Sequence, residues 1–144
     1  MPTYTHARPA LTVDIIVRAN ARTRIVLIRR AHEPFAGGWA LPGGFVEENE
    51  PPATAAAREL AEETGIALEP ERLTQLGAYG NPGRDPRGWT VSIVFVADVD
   101  EATTRPQAGD DAGDARWWSV GALPPLVFDH ARIIADALSA DGFD

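Results

Sequence analysis

The segment from Pro51 to Thr64 constrains this chain more than any other. It is built of Ala, Glu, Arg and Leu, all good helix formers, its two prolines are confined to the first turn, and Gly65 stands where a helix ends. At about 100° per residue, Glu62 lies about 60° to one side of Glu59 and Glu63 about 40° to the other, so three carboxylates share one face. Ala53, Ala57, Leu60, Ala61 and Thr64 fall roughly opposite and are small or apolar; that side is expected against a sheet, with the acidic stripe facing a cleft. Like charges three or four positions apart cost a helix about 0.2–0.5 kcal/mol per pair. Between Gly44 and Ile66 six acids meet the single Arg58, so a compensating cation is expected. A hard divalent ion such as Mg²⁺ takes oxygen ligands, typically one or two carboxylates plus substrate phosphates and water. A solvated acidic face is the plain alternative, and the surrounding sequence decides between them.

Leu11 to Ala19 and Ile25 to Arg30 are rich in β-branched and aliphatic residues, and the polar Asn20 to Thr23 between them fits a hairpin connection. Pro34 to Gly44 is rich in Gly and Pro, holds Phe35 and Trp39, and is expected to be a shaped loop. Strands are expected again at Leu73 to Tyr79 and Thr90 to Val99, separated by the turn-rich Gly80 to Gly88, a loop long enough to suggest function. Asp100 to Asp114 is a polar, acidic loop leading into a short strand, Ala115 to Trp118. A last helix is expected over Asp129 to Ala140, with Ile133, Ile134, Ala137 and Leu138 at helical spacing and Asp129 as its N-cap. Hairpins combined with two helices imply an α/β sandwich around a mixed β-sheet, in one domain covering residues 1–144.

The charge balance narrows the partners. Twenty-one Asp and Glu against thirteen Arg give a net charge of −8, which argues against electrostatic capture of nucleic acid or an anionic membrane, while a small anionic substrate remains accessible through a cation. Without cysteine there are no disulfides, zinc–thiolate sites or thiol nucleophiles. Met1 to Ala10 lacks the apolar core of a signal peptide, and no segment approaches the roughly 20 apolar residues of a membrane span. A soluble cytoplasmic protein is expected.

Gly44, Glu50, Arg58, Glu59, Glu62, Glu63 and Gly65, with apolar Leu60 and Ile66, satisfy every position of the pattern G-x5-E-x7-R-E-U-x-E-E-x-G-U, where U is apolar. The match is long and falls on the expected loop and helix, so the chain resembles the Nudix hydrolases, enzymes that cleave a nucleoside diphosphate linked to another moiety. Trp39 to Gly44, the chain length and the order of elements extend the resemblance to the whole domain. It implies an α/β/α sandwich, and Glu59, Glu62 and Glu63 as ligands of the catalytic Mg²⁺, with Mn²⁺ an alternative. The Gly43–Gly44 backbone would support the metal, and Arg58 and Glu50 would orient the carboxylates. The general base is left open among Asp110, Asp111 and Asp114 before Trp117, and Glu62 or Glu63 themselves.

The resemblance also bears on the substrate. Pro82 lies sixteen positions beyond Ile66, and a proline near there, like the string Gly83 to Gly88, is similar to the ADP-ribose pyrophosphatase branch of the family. Arg84, Asp85 and Arg87 are therefore candidate substrate-binding residues, since the guanidinium fork suits phosphate. Phe35 is the candidate to stack on adenine; Trp39, Trp117 and Trp118 are expected in the core, and His130 is given no chemistry. The expected activity is Mg²⁺-dependent hydrolysis of ADP-ribose to AMP and ribose 5-phosphate by a homodimer. Alternatives are another nucleoside diphosphate derivative or an oxidised nucleoside triphosphate as substrate, and a catalytically silent domain that senses ADP-ribose.

Overall fold

The computed structural model describes residues 5–109 and 111–139. In chain order the strands are β1 (Ala10–Ala19), β2 (Arg24–Arg30), β3 (Trp39–Ala40), β4 (Gly43–Phe45), β5 (Thr74–Tyr79), β6 (Thr90–Asp98) and β7 (Ala112–Ser119). Helix α1 (Pro52–Thr64) follows β4, and α2 (His130–Ser139) closes the described chain. The boundaries of α1 have plain causes: Pro52 fills the first helical position, and Gly65 turns left-handed at φ 72° while its amide donates to the Ala61 carbonyl at 2.9 Å.

The hairpin of β1 and β2 exists, but it is short. The strands pair only at Arg18 with Ile25 and Ala19 with Arg24, and then part. Beyond that point β2 runs antiparallel to β7, and β1 runs parallel to β6 from Ala10 to Arg18, with β5 antiparallel at the far side of β6. The gap between the parted strands is bridged by Trp39 to Phe45. Its first residues, β3, pair with Ile28 and Arg29 of β2, and its last, β4, pair with Thr12, Val13 and Asp14 of β1. The expectation of a shaped loop over Pro34 to Gly44 is corrected at Trp39–Ala40 and from Gly43, which pair as strands: β1 and β2, once parted, each offer backbone donors and acceptors that need partners.

Side chains alternate across the sheet with period two. Val13, Ile15 and Val17 of β1, with Val26, Phe95 and Ala97, pack on Ala55, Ala56 and Leu60 of α1. Ile16, Ile25, Leu27, Val94 and Val96 pack on Ile133, Ile134 and Ala137 of α2. One helix on each face of a mixed sheet is the expected α/β/α sandwich. The helical face is rotated from the expected one: Ala55, Ala56, Leu60 and Thr64 are buried, whereas Ala61 is exposed. The acidic stripe therefore does not point away from the sheet. It runs from exposed Glu62 round to Glu63, which sits on the sheet-facing side, because the cleft lies between helix and sheet.

Two further details differ from expectation. Strand β7 begins at Ala112, so Asp114 lies within a strand opposite Arg29. Asp129 gives its carboxylate to Arg84 and only its carbonyl to the amides of Arg132 and Ile133, so it does not act as a side-chain cap. Ala140 lies outside the described residues. Among the described residues no helix is long and apolar enough to cross a membrane.

Candidate active site

The acidic edge of α1 is organised by one arginine. Arg58 donates from Nε and Nη2 to both oxygens of Glu50 at 2.8 and 3.0 Å, from Nη1 to Glu59 at 2.8 Å and to Glu62 at 3.4 Å, and from Nη2 to the Phe45 carbonyl at 3.1 Å. These bonds to Arg58, with the Glu47 amide, hold the Glu50 carboxyl at a pKa of about 2, and the same acids raise that of Arg58. Glu59 is the reverse case, its pKa raised by burial in spite of Arg58.

Glu63 stands apart from this clamp. Its Oε1 accepts the Gly43 amide at 2.7 Å. Burial, with smaller contributions from Glu59 and Asp14, pushes its pKa up to about 8 against that bond and Arg30. Gly43 is sterically required, since a Cβ there would lie 2.2 Å from the Val13 carbonyl; a Cβ at Gly44 would lie 2.5 Å from the Glu59 carboxylate, which would have to give way. Among the described residues no three His, Asp or Glu side chains gather round one point; Arg58 and the Gly43 amide hold the carboxylates instead. The donors nevertheless suit a hard cation. They are all oxygen, and Glu63 is a desolvated acid beside other acids whose ionisation only a nearby positive charge would relieve.

Two adjoining cavities open where β1 and β2 part. The deeper has a volume of about 110 Å³ and reaches down to Asp14, Leu41, Arg84 and His130. The more open one, about 430 Å³, runs along Arg58, Glu59, His32 and Asp111. Arg30, Gly43, Gly44, Phe45, Glu63 and Arg87 line both, so the acidic helix edge, Arg30 of β2 and Arg87 of the loop before β6 face a single cleft.

The expected substrate residues are distributed unevenly round it. Arg84, Asp85 and Arg87 all line the deeper cavity. The fork of Arg84 is filled by Asp129 at 2.7 and 2.9 Å and its side chain is 5% exposed, so it acts as a wall. Arg87 pairs with Asp85 at 2.7 Å but is 38% exposed, with its guanidinium 4.8 Å from the Phe45 ring centre. Phe35 is exposed and sits edge-on to Phe128 at 5.1 Å, lining neither cavity; Phe45 and Phe128 are the aromatic groups there. Asp111 lines the open cavity and lies 3.9 Å from His32. Asp114 is bound to Arg116 and to the Ala115 amide, outside the cleft. Asp110 lies outside the described residues. Trp39 and Trp118 pack edge-to-face in the α2 layer, and Trp117 packs in the α1 layer with its indole N–H on the Thr104 carbonyl at 2.9 Å.

Sequence reasoning missed Arg30, Asp14, Ser92 and His130. Arg30 donates from Nε to the Pro34 carbonyl at 2.7 Å, its guanidinium lies 5.2 Å from the Phe128 ring centre, and among the described residues its Nη groups have no acceptor. Asp14 is 8% exposed; its Oδ2 accepts the Ser92 hydroxyl at 2.5 Å, and its Oδ1 lies 3.5 Å from His130 Nε2. His130 Nδ1 accepts the Leu41 amide at 3.0 Å, which leaves the ring proton on Nε2, toward Asp14. Burial raises the pKa of Asp14 and lowers that of His130, so desolvation outweighs what each gives the other. The signal was present: an acid inside the apolar run from Val13 to Val17 is costly without a reason.

Comparison with known proteins agrees with this geometry. The family model described as NUDIX domain matches residues 8–137. An ADP-ribose pyrophosphatase of Methanocaldococcus jannaschii is 46% identical over 92% of this chain and 74% of its own length. The NUDIX domain of Shewanella oneidensis NrtR, crystallised with ADP ribose, superposes with a TM-score of 0.81 at 31% identity, over 92% of this chain and 88% of that one. A bifunctional NMN adenylyltransferase/ADP ribose pyrophosphatase from Francisella tularensis, crystallised with AMP and a Mn ion, gives a TM-score of 0.82 at 34% identity; this chain covers 42% of its length, and the match takes in 94% of this chain.

Proposed function

This chain belongs to the NUDIX domain family and is a Nudix pyrophosphohydrolase, and from that premise we propose that it hydrolyses ADP-ribose to AMP and ribose 5-phosphate with Mg²⁺, or in its place Mn²⁺. The observation that carries the proposal is the single cleft, which sets the carboxylates of Glu59 and Glu63 across from Arg30 and Arg87. Glu59, Glu62, Glu63 and the Gly43 backbone are the groups that would hold the cation. When bound, such an ion neutralises the diphosphate and acidifies a water molecule.

The chain's own residues supply the rest. Arg58 bonds Glu50, Glu59 and Glu62 and keeps them aimed, so the acidic edge is already arranged when substrate arrives. Arg30 and Arg87, both within cation–π range of the Phe128 ring, offer guanidinium donors to the phosphate oxygens. Water attacks one phosphorus, the bridging P–O bond breaks, and the departing phosphate keeps the bridging oxygen. Asp111, on the wall of the open cavity, is the group we assign to take the proton of the attacking water. The proposal includes a homodimer, supported by the outer edge of β5, which ends the sheet without a further strand among the described residues.

Product chromatography tests the reaction. ADP-ribose incubated with Mg²⁺ is expected to yield AMP and ribose 5-phosphate in equal amounts, with no turnover in chelator and slower use of NADH and a deoxynucleoside triphosphate. Preferred hydrolysis of the triphosphate would replace this reading with that of a nucleotide-sanitising enzyme. Sedimentation at the mass of one chain would remove the dimer.

A further inference from the structure

Asp14 faces α2 from the middle of β1, the one acid on a strand whose neighbours on that face and the other are buried and mostly apolar. The carboxylate has room for about four hydrogen bonds, two on each oxygen. Oδ2 has a short bond from Ser92, while Oδ1 has, among the described residues, only His130 Nε2 at 3.5 Å, longer than a good N–H···O bond. The side chain is 11% exposed, and what surface it keeps lines the floor of the 110 Å³ cavity. The surroundings hold the group still. Ser92 pairs with Thr12, two residues from Asp14 on the adjoining strand, Arg84 is locked to Asp129, and His130 is tied to the Leu41 amide. A fixed, buried acceptor with unused lone pairs on the wall of a cavity selects for a donor, because a ligand lacking one leaves it desolvated and unpaired.

Resting on the reading of the chain as an ADP-ribose pyrophosphatase, we propose that Asp14 determines specificity: its carboxylate accepts a hydrogen bond from an N–H or O–H group on the part of the substrate that enters the smaller cavity. Two groups of ADP-ribose have this chemistry, the exocyclic amine of adenine and the hydroxyls of the sugars. Ile28, Leu41 and the Phe128 ring give the cavity an apolar side; of the acids that line it, Asp85 is paired with Arg87 and Glu63 takes the Gly43 amide, which leaves Asp14 as the acid tied to neither.

Calorimetric titration of product fragments, which needs no turnover, tests this apart from the reaction. AMP is compared with IMP, which carries a carbonyl in place of the amine. AMP with 2′-deoxy-AMP, and ribose 5-phosphate with 2-deoxyribose 5-phosphate, compare the hydroxyls. Wild-type protein is expected to favour the donor-bearing member of one pair by about 10- to 100-fold, and Asp14→Asn, whose amide supplies its own donor, to level or invert that ratio in a protein that still melts cooperatively. A shifted AMP/IMP ratio assigns the amine, and a shifted ratio in either deoxy pair assigns a hydroxyl. Ratios that are equal in the two proteins, or absence of binding by all fragments, overturn the proposal even where ADP-ribose is hydrolysed. A shifted ratio in a protein that fails to hydrolyse ADP-ribose overturns only the reading of the reaction. Should Asp14→Asn not fold, Ser92→Ala keeps the carboxylate but frees Oδ2, and is expected to reduce the same ratio by about 3- to 10-fold; no reduction is equally decisive.

Discussion

Replacing Glu63 by Gln is expected to make the metal-free protein more stable while removing its activity. The Glu63 carboxyl has a pKa of about 8 in the fold against 4.5 for an ordinary glutamate, chiefly through burial. An acid whose pKa is raised by folding binds its proton more tightly in the native state. Stability is therefore unaffected below about pH 4.5 and falls as pH rises from there to about 8. At 1.36 kcal/mol per unit the full cost approaches about 5 kcal/mol above pH 8. Glutamine keeps the oxygen that accepts the Gly43 amide and never ionises, so it escapes this cost. For a chain of this length, about 3 °C per kcal/mol gives a rise in melting temperature on the order of 10 °C at pH 8.5. Calorimetric melts of both proteins in EDTA from pH 4.5 to 9 would show the two curves meeting at the acid end and diverging toward the alkaline end. With Mg²⁺ added, the wild type should recover stability by mass action and the variant should not. A difference in melting temperature that stays flat across this range would refute the reasoning, since it would mean that Glu63 bears no burdened charge.

Other positions give sharper single readouts. Arg58→Met should leave four acids uncompensated and lower kcat/KM for ADP-ribose by at least about tenfold, with a higher Mg²⁺ requirement seen in metal titrations. Gly44→Ala places a methyl group against the Glu59 carboxylate and should cost about 1–3 kcal/mol in urea melts together with most of the activity; a fully active variant would mean that Glu59 can move freely. Arg87→Ala is expected to raise KM several-fold with little change in kcat, because its role is to hold phosphate. Arg84→Ala, by contrast, leaves the half-buried Asp129 charge unpaired and should lower stability by about 2 kcal/mol, so the two arginines of one loop separate in one pair of assays.

Much of the fold was legible because its signals are local. The β-branched runs gave β1, β2 and β6, and the Pro–Pro start with Gly65 gave α1 to within a residue. The Glu-rich pattern marked the acidic edge of the site, but not which way it turned, since about 100° per residue fixes angles between side chains and says nothing of where the sheet will lie. Arg30 and Asp14 stayed hidden for another reason: each matters through residues far along the chain, Phe128 for one and Ser92 and His130 for the other. Phe35 stands out in sequence for its place in a Gly/Pro-rich loop, yet Phe45 and Phe128, both less conspicuous, are the rings that meet the arginines of the cleft. Asp114 was drawn into the loop because strand β7 starts three residues earlier than its aromatic residues suggest.

The early parting of β1 and β2 puts the acids on one support and the residues that face the rest of the ligand on another. Changes to the strands that border the opening can therefore alter what is admitted without disturbing how the bond is broken. A designer seeking a new preference in this scaffold has a short stretch of backbone to work on, the place where two ribbons cease to be neighbours.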